Sequence, residues 1–245
     1  MRYGLIADIH ANVRALVVAY EKLKAVGVDQ TIFLGDLVGY GPAPAACVDL
    51  FAGLPETLPI SGNHDRQVLG ERDPYMRRTA ARALEWTRNQ LSPKQLRTLQ
   101  SFPQGRTVED AFIVVHGSLV SRDAYIRSMK DVAVNRKSMV EDFPGSRICF
   151  FGHTHVPLLA GTKDTVTDLE ETKAFQLDRN DVYLVNPGSV GQPRDGCPLS
   201  AFGVFDSDNW TMTFFRESYD VAGTCEAIRE AGLPEKFARR LEAGT

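Results

Sequence analysis

The sequence predicts a layered α/β fold in which short buried strands alternate with helices. Runs of four or five apolar residues recur along the chain, and segments with helical periodicity separate them. Most of the apolar runs end in Gly, Asp, Asn or His. Ligands of open α/β sheets collect beyond the carboxyl ends of strands, so these endings predict a binding site there.

The N-terminal part begins with an apolar strand over residues 3–7. Apolar side chains at helical spacing then predict a helix between Asn12, a good N-cap residue, and Gly27, which suits a helix C-terminus. A second buried strand over residues 31–34 and a helix over residues 45–51 follow. This strand, helix, strand order is typical of an α/β protein.

The next part combines a short strand with a helical segment. The strand covers residues 57–60 and runs into a turn. Residues 73–91, rich in Arg, Ala and Leu and free of Gly, predict a long helix. Ser92-Pro93 suit the N-cap and first position of another helix. We therefore expect a helical insertion over about residues 72–106 that forms one wall of the site.

The C-terminal part returns to strands. Its apolar runs predict strands at residues 112–115, 148–151, 181–185, 201–205 and 210–215. A helix near residues 221–231 leads to a polar tail. Residues 161–180 are polar and weakly patterned, and we expect either a flexible excursion or a surface hairpin. Because no repeat or low-complexity linker interrupts the pattern, we expect one domain over residues 1–245.

Composition narrows the class of protein. Of the 245 residues, 43% are hydrophobic and 24% are charged, and the net charge is −3. This balance disfavours a nucleic-acid partner and provides no overall electrostatic attraction to an acidic membrane surface. No apolar segment approaches the ~18 residues of a membrane span, and the N-terminal apolar run is too short for a signal peptide. The cysteines are isolated, which indicates reduced thiols in a cytoplasmic protein.

All five histidines lie in short motifs at predicted strand ends. Imidazole is the commonest transition-metal ligand, and no histidine is left over for packing or solubility. The motifs are Asp8-Ile9-His10, Gly62-Asn63-His64-Asp65, His116-Gly117 and Gly152-His153-Thr154-His155, with Gly35-Asp36 between the first two. Taken singly, several residues have structural explanations. Asp36 could form a turn, His64 could be a loop histidine, and His116 could be a core histidine with a satisfied ring.

The conjunction of these motifs favours a joint metal site. Asp8 and His10 lie two residues apart, so extended backbone geometry would point both side chains to one side. Asp36 has two carboxylate oxygens with which to bridge two ions. Mixed carboxylate and imidazole ligation suits borderline divalent ions.

The ordered motifs resemble those of the calcineurin-like metallophosphoesterase superfamily, and the match spans Asp8 to His155. Within it, the segments 35–42 and 186–190 are similar to those of the compact bacterial and archaeal phosphodiesterase-like branch. Ala11 stands where relatives often have Gly, a conservative departure. The resemblance implies a sandwich of two mixed β-sheets flanked by helices, with two metal ions at one edge.

The resemblance also implies roles for the ligands. One ion would be held by Asp8, His10, Asp36 and His155, and the other by Asp36, Asn63, His116 and His153. It implies Mn²⁺ as the metal, although Fe, Zn, Co and Ni also suit such ligands. No feature of the sequence predicts the oligomeric state.

The function expected is hydrolysis of a phosphodiester or phosphomonoester in a small nucleotide or metabolite, by attack of a metal-activated hydroxide. His64 would protonate or stabilise the leaving oxygen, and Asp65 would orient its ring. Arg194, Asn12 and Tyr40 are candidates for contacts to the substrate, although Arg194 could equally be an exposed loop residue.

Two alternatives stay open from the sequence. A dinucleoside polyphosphate hydrolase is a narrower enzymatic function within the same family. A non-catalytic scaffold of the same fold is the alternative from another class, although such scaffolds tend to lose the catalytic residues that this chain retains. A nuclease is disfavoured by the acidic balance.

Overall fold

Two six-stranded mixed sheets pack face to face in the computed structural model, which describes residues 1–54, 56–108, 112–167 and 169–245. With strands numbered in chain order, the first sheet runs β3 (Thr57–Pro59), β2 (Gln30–Phe33), β1 (Arg2–Ile6), β11 (Ser200–Asp206), β12 (Thr211–Glu217) and β9 (Lys173–Gln176). The second runs β4 (Gly105–Val108), β5 (Phe112–Val115), β6 (Ile148–Phe150), β10 (Tyr183–Asn186), β7 (Leu158–Ala160) and β8 (Thr165–Val166). The expected sandwich of mixed sheets is confirmed.

Side chains alternate along the central strands between the two faces of each sheet. Tyr3 and Leu5 of β1 point into the interior between the sheets, whereas Ile6 packs against the helices outside. In the interior the rings of Tyr3 and Phe112, one from each sheet, meet edge to face at 4.9 Å. A one-residue slip of β1 would turn Tyr3 and Leu5 toward the helices and remove them from the interior, so packing on both faces fixes the register.

Helices cover both outer faces of the sandwich. The first sheet is covered by α1 (Val13–Val26), α2 (Pro44–Ala52), α3 (Asn63–Val68), α4 (Arg78–Gln90) and α5 (Pro93–Gln100), and the second by α6 (Met129–Asp142). A hairpin of α7 (Val221–Glu230) and α8 (Glu235–Ala243) packs against α4. As predicted, Asn12 caps α1 by accepting from the Ala15 amide, and Gly27 ends it with φ +78°. Among the residues that the structure describes, no helix is long and apolar enough to cross a membrane.

Several predicted elements are wrong in extent or type. The helix expected over 73–91 begins only at Arg78, because the Asp73 side chain accepts the Tyr75 amide at 2.9 Å and holds the chain in a turn around Pro74. The expected polar tail is α8, whose buried Phe237 and Leu241 lie one turn apart. In the described part of residues 161–180, β8 and β9 join different sheets and do not pair as a hairpin.

The start of α5 offers a test of helix stability. Ser92 Oγ accepts from the Gln95 amide at 3.3 Å, and Gln95 Oε1 accepts from the Ser92 amide at 2.9 Å. This is a capping box, so Ser92→Ala is expected to lower the free energy of unfolding by about 0.5–2 kcal/mol. Urea denaturation measures the change. Ser138→Ala, inside α6, is the control and should change the free energy of unfolding by less than about 0.5 kcal/mol. Equal effects of the two variants would contradict the capping argument.

Candidate metal centre

The predicted ligands follow the carboxyl ends of strands from both sheets. Asp8 and His10 follow β1, Asp36 follows β2, Asn63 follows β3, His116 follows β5, and His153 and His155 follow β6. Strands β1, β2 and β3 are parallel to one another, as are β5 and β6. The strand ends therefore converge at one edge of the sandwich, as the sequence predicts.

The backbone at these positions is left-handed rather than extended. Asp8, His10, Asp36, His153 and His155 all have φ between +49° and +63°. The extended geometry expected for Asp8 and His10 is therefore wrong, and the tight loop itself turns both side chains inward. Non-glycine residues in this region carry a conformational cost, and such residues cluster at functional sites.

Four side chains form the first cluster of possible ligands. One ligand atom from each of Asp8, His10, Asp36 and His155 lies within 4.8 Å of the others, and all four residues are buried. The Nε2 atoms of His10 and His155 are 3.1 Å apart. Asp36 Oδ2 lies 3.6 Å from His10 Nε2, and Asp8 Oδ1 lies 3.5 Å from His155 Nε2. This is the set that the resemblance assigns to one ion.

Hydrogen bonds to backbone carbonyls fix the tautomers of these two histidines. His10 Nδ1 lies 3.2 Å from the Val38 carbonyl oxygen, and His155 Nδ1 lies 2.6 Å from that of Gln192. A carbonyl oxygen only accepts, so each Nδ1 carries the proton and each Nε2 presents a lone pair. Two lone pairs that face each other at 3.1 Å cannot form a hydrogen bond. A cation between them would satisfy both.

A second cluster repeats this arrangement around the same carboxylate. Asp36, His116 and His153 present ligand atoms within 4.8 Å of one another. His116 Nε2 lies 3.1 Å from His153 Nδ1 and 3.1 Å from Asn63 Oδ1. The distal nitrogens of the two histidines contact the backbone carbonyls of Leu34 and Asp123. Asp36 is shared by both clusters, which suits a bridging ligand.

Burial and the neighbouring charges together determine the protonation of these groups. Burial lowers the pKa of His10 and of His155 well below the usual range, so both rings are neutral at pH 7. Burial would raise the pKa of Asp36, but the facing imidazoles, led by His116, hold it well below its usual range. Asp8 Oδ2 is buried with no hydrogen-bond partner in the described part of the chain. Burial would lower the pKa of His116, but the neighbouring Asp36 carboxylate outweighs burial and raises it to about 9, so this ring is protonated at pH 7 until a metal ion displaces the proton. A buried set of carboxylates and imidazoles with an unsatisfied oxygen fits two divalent ions.

A family comparison agrees with this geometry. The profile described as the calcineurin-like phosphoesterase superfamily domain matches residues 1–209. The chain belongs to this superfamily. The protein is a metal-dependent phosphoesterase, since the family's chemistry and the clusters of metal ligands coincide in the same chain.

Related proteins resemble this phosphoesterase over its whole length. A crystal structure of a metallophosphoesterase from Sphaerobacter thermophilus is 36% identical, covers 100% of this chain and 99% of its own, and superposes with a TM-score of 0.85. An uncharacterized protein from Methanocaldococcus jannaschii is 33% identical over 98% of this chain and 97% of its own length. A hypothetical protein from Pyrococcus horikoshii, 21% identical over 100% of this chain and 98% of its own, shares the fold with a TM-score of 0.79.

His64 lies beside the candidate metal ligands without belonging to either cluster. Its ring packs edge to face on His10 at 4.8 Å and against Tyr40 at 4.3 Å. Burial, opposed by Asp36, lowers the pKa of His64 to about 4. Its Nδ1 has no partner in the described part of the chain, and the ring lines the cavity over the clusters. This position suits a group that acts on substrate.

Asp65 does not orient His64 as predicted. Its carboxylate instead accepts four backbone amides, from Asp36, Leu37, Val38 and Gly62, at 2.9–3.3 Å. With its oxygens occupied in this way, Asp65 makes no hydrogen bond to the ring of His64 in this structure. Asp65 therefore holds the loop that carries Asp36.

The predicted substrate contacts separate into two groups. Arg194 and Tyr40 line a cavity of about 480 Å³ over the clusters, and the guanidinium of Arg194 lies 5.9 Å from the Tyr40 ring centre. Asn12 is absent from this lining. Its amide caps α1 and donates to the Gly191 carbonyl at 3.0 Å, and only 2% of its surface is exposed. The structure therefore assigns Asn12 a structural task as a helix cap, and a contact from Asn12 to substrate stays a prediction.

The sequence missed other residues around this cavity. Tyr125 stacks on His153 with ring centres 4.0 Å apart, and Arg127 covers the other ring surface at 3.7 Å from the Tyr125 centre. No motif marks this loop. Lys236 and Arg240 also line the cavity, and their spacing on a helical face was the available signal.

Gly62 provides a local test of the centre. A Cβ at this position would overlap the carboxylate and amide of Asp36. Gly62→Ala is therefore expected to weaken metal binding roughly 10–100-fold, as loss of support for a ligand does. Calorimetric titration with Mn²⁺ measures this affinity. The control is Gly53→Ala, where φ is −91° and the nearest atom would be 3.4 Å away. Unchanged affinity in Gly62→Ala would contradict the packing argument.

Proposed function

We propose that this phosphoesterase hydrolyses a phosphodiester or phosphomonoester bond in a small nucleotide or metabolite with two divalent ions, Mn²⁺ being the first choice. The supporting observation is the pair of histidine contacts, each with distal nitrogens on backbone carbonyls, on either side of the shared Asp36. Fe, Zn, Co and Ni suit the same donors. The free thiols, three of them buried, support a reducing, cytoplasmic location.

The proposed mechanism assigns a separate task to each group. One ion would be held by Asp8, His10, Asp36 and His155, and the other by Asp36, Asn63, His116 and His153. When bound, such ions supply an activated water at neutral pH and neutralise charge on the phosphoryl oxygens. His64 donates a proton or hydrogen bond to the leaving oxygen. Arg194 binds a phosphoryl oxygen, for which its planar guanidinium is suited.

The first experiment compares initial rates on bis(p-nitrophenyl) phosphate and p-nitrophenyl phosphate, with Mn²⁺ and after removal of metal by a chelator. Metal-dependent hydrolysis of either ester supports the proposal. Faster hydrolysis of the diester indicates a phosphodiesterase, and faster hydrolysis of the monoester indicates a phosphatase. No metal-dependent rate on either ester, nor on a diadenosine oligophosphate, would contradict an esterase and favour the scaffold alternative.

A further inference from the structure

The cavity over the metal ligands contains many cations in an acidic protein. Five lysines and arginines line it: Arg77, Arg127, Arg194, Lys236 and Arg240. Apart from the proposed ligand Asp36, the only carboxylate in the lining is Asp73. The whole chain nevertheless has a net charge of −3. A cleft lined by one sign of charge attracts ligands of the opposite sign.

None of these five cations forms an ion pair with an acidic residue in the described ranges of the chain. Other arginines of the hairpin formed by α7 and α8 do form ion pairs. Arg239 of α8 pairs with Glu235 at 3.7 Å, and Arg229 of α7 pairs with Glu235 and Glu242. The cations of the cavity therefore remain available to an external anion.

Two elements outside the sheets bring part of this charge together. Lys236 and Arg240 lie one turn apart on α8, and Arg77 precedes α4. A hydrogen bond from Lys236 to Thr79 joins the two helices. Phe237 packs on Tyr40 with ring centres 5.0 Å apart, which ties α8 to the wall beside His64. We call Arg77, Lys236 and Arg240 the cationic wall.

Burial and mutual repulsion disfavour the charged forms of Lys236 and Arg240 in the cationic wall of the free protein. Burial, then the charges of Arg194 and Arg77, lower the pKa of Arg240, and burial, then Arg240 and Arg77, lower that of Lys236. Neighbouring like charges repel one another, and a bound anion would offset this repulsion. The proposed mechanism uses Arg194 to bind the phosphoryl group that is hydrolysed. It gives the cationic wall no role in hydrolysis.

We propose that the cationic wall is a second anion subsite, so that the substrate carries another phosphate group in addition to the one that is hydrolysed. This inference rests on the proposed function for the identity of the first phosphate. Guanidinium and ammonium groups both bind phosphate with charge-assisted hydrogen bonds. The chemical class is therefore a bisphosphate or an oligophosphate rather than a simple ester.

Binding of inorganic tripolyphosphate to the metal-free protein tests the subsite without activity. Calorimetry should give an affinity that Arg240→Gln weakens at least about tenfold. Arg239→Gln removes the same charge from the adjacent, paired position and should change the affinity less than about twofold. Without anion, Arg240→Gln should melt no lower than the wild type, because it relieves repulsion. Equal affinities in the two variants, or a lower melting temperature of Arg240→Gln, would overturn the proposal.

A second measurement links the subsite to turnover. The p-nitrophenyl ester of thymidine 5′-phosphate and its 3′-phosphorylated form release the same product and differ only in the extra phosphate. The ratio of their kcat/KM values should favour the 3′-phosphorylated ester at least about tenfold in the wild type and fall in Arg240→Gln. An identical ratio in both proteins would count against the subsite. Absence of metal-dependent turnover of these esters, of p-nitrophenyl phosphate and of a diadenosine oligophosphate would instead refute the proposed function, and the tripolyphosphate result would stand by itself.

Discussion

Asp36→Asn is expected to remove both metal ions and hydrolysis with them. Oδ2 of Asp36 lies 3.6 Å from His10 Nε2 and 3.4 Å from His116 Nε2, so one carboxylate serves both clusters. The amide lacks the charge that a bridging ligand supplies. Because the ions contribute several kcal/mol of transition-state stabilisation, the rate should fall at least roughly 10³-fold. Metal content after gel filtration, measured together with the rate, checks this result.

Asp73→Asn is the matched control for this prediction. Asp73 lines the same cavity but belongs to neither cluster. The Asp73→Asn variant should therefore keep both ions. The asparagine at position 36 retains an oxygen that can accept the His64 amide, which Oδ1 accepts at 2.8 Å. The folded state should therefore survive, and the melting temperature without metal confirms this. Two ions bound to folded Asp36→Asn would contradict the bridging role.

His64→Ala is expected to leave both metal ions in place and lower kcat roughly 10²–10⁴-fold, the usual contribution of a positioned proton donor. The reason is position. His64 lines the cavity, and its ring contacts His10 and Tyr40 without joining the clusters. Steady-state rates with saturating Mn²⁺ give kcat, and elemental analysis gives the metal content of the same sample.

His116→Ala is the contrasting variant for His64. Both changes delete one buried imidazole from the same edge of the sandwich, but His116 belongs to the second ligand cluster. His116→Ala should therefore lose metal as well as activity. An unchanged kcat in His64→Ala would remove this residue from the mechanism, and loss of metal in His64→Ala would make it a structural support of the ligands.

The sequence could single out the candidate metal ligands because each belongs to a short motif at a strand end. Every predicted ligand lies in or beside one of the two clusters, and Asn63 Oδ1 lies 3.1 Å from His116 Nε2. Strand ends could be located from apolar runs alone, and parallel strands bring their carboxyl ends together. The left-handed loops that carry Asp8 and His10 could not be predicted, because tertiary contacts impose them against local preference.

Roles that depend on a hydrogen-bond partner were harder to predict. Asp65 follows His64 directly, yet its oxygens accept distant backbone amides, including those of Leu37 and Val38. The side chain of Asn12 accepts the Ala15 amide at the start of α1 and donates to the Gly191 carbonyl. A sequence shows which groups a residue offers. It does not show which of them the fold has already engaged.

Elements with weak patterns were missed for a related reason. Helix α6 buries Val132 and Met139 but exposes Val134 and Val140, so its apolar residues cover both sides and no amphipathic stripe marks it. Helix α8 has a charged surface that concealed the buried Phe237. The missed helix α8 matters for function, because it contributes Lys236 and Arg240, two of the three residues of the cationic wall.

Metal titration of the chelator-treated protein tests the central claim most directly. Mn²⁺ would be added in small steps while bound metal and the rate on the preferred p-nitrophenyl ester are measured in parallel. The geometry of paired histidines around Asp36 predicts two ions bound per chain, with the rate reaching its plateau only as the second ion binds. A plateau after one ion, or a rate independent of added metal, would contradict a two-ion centre.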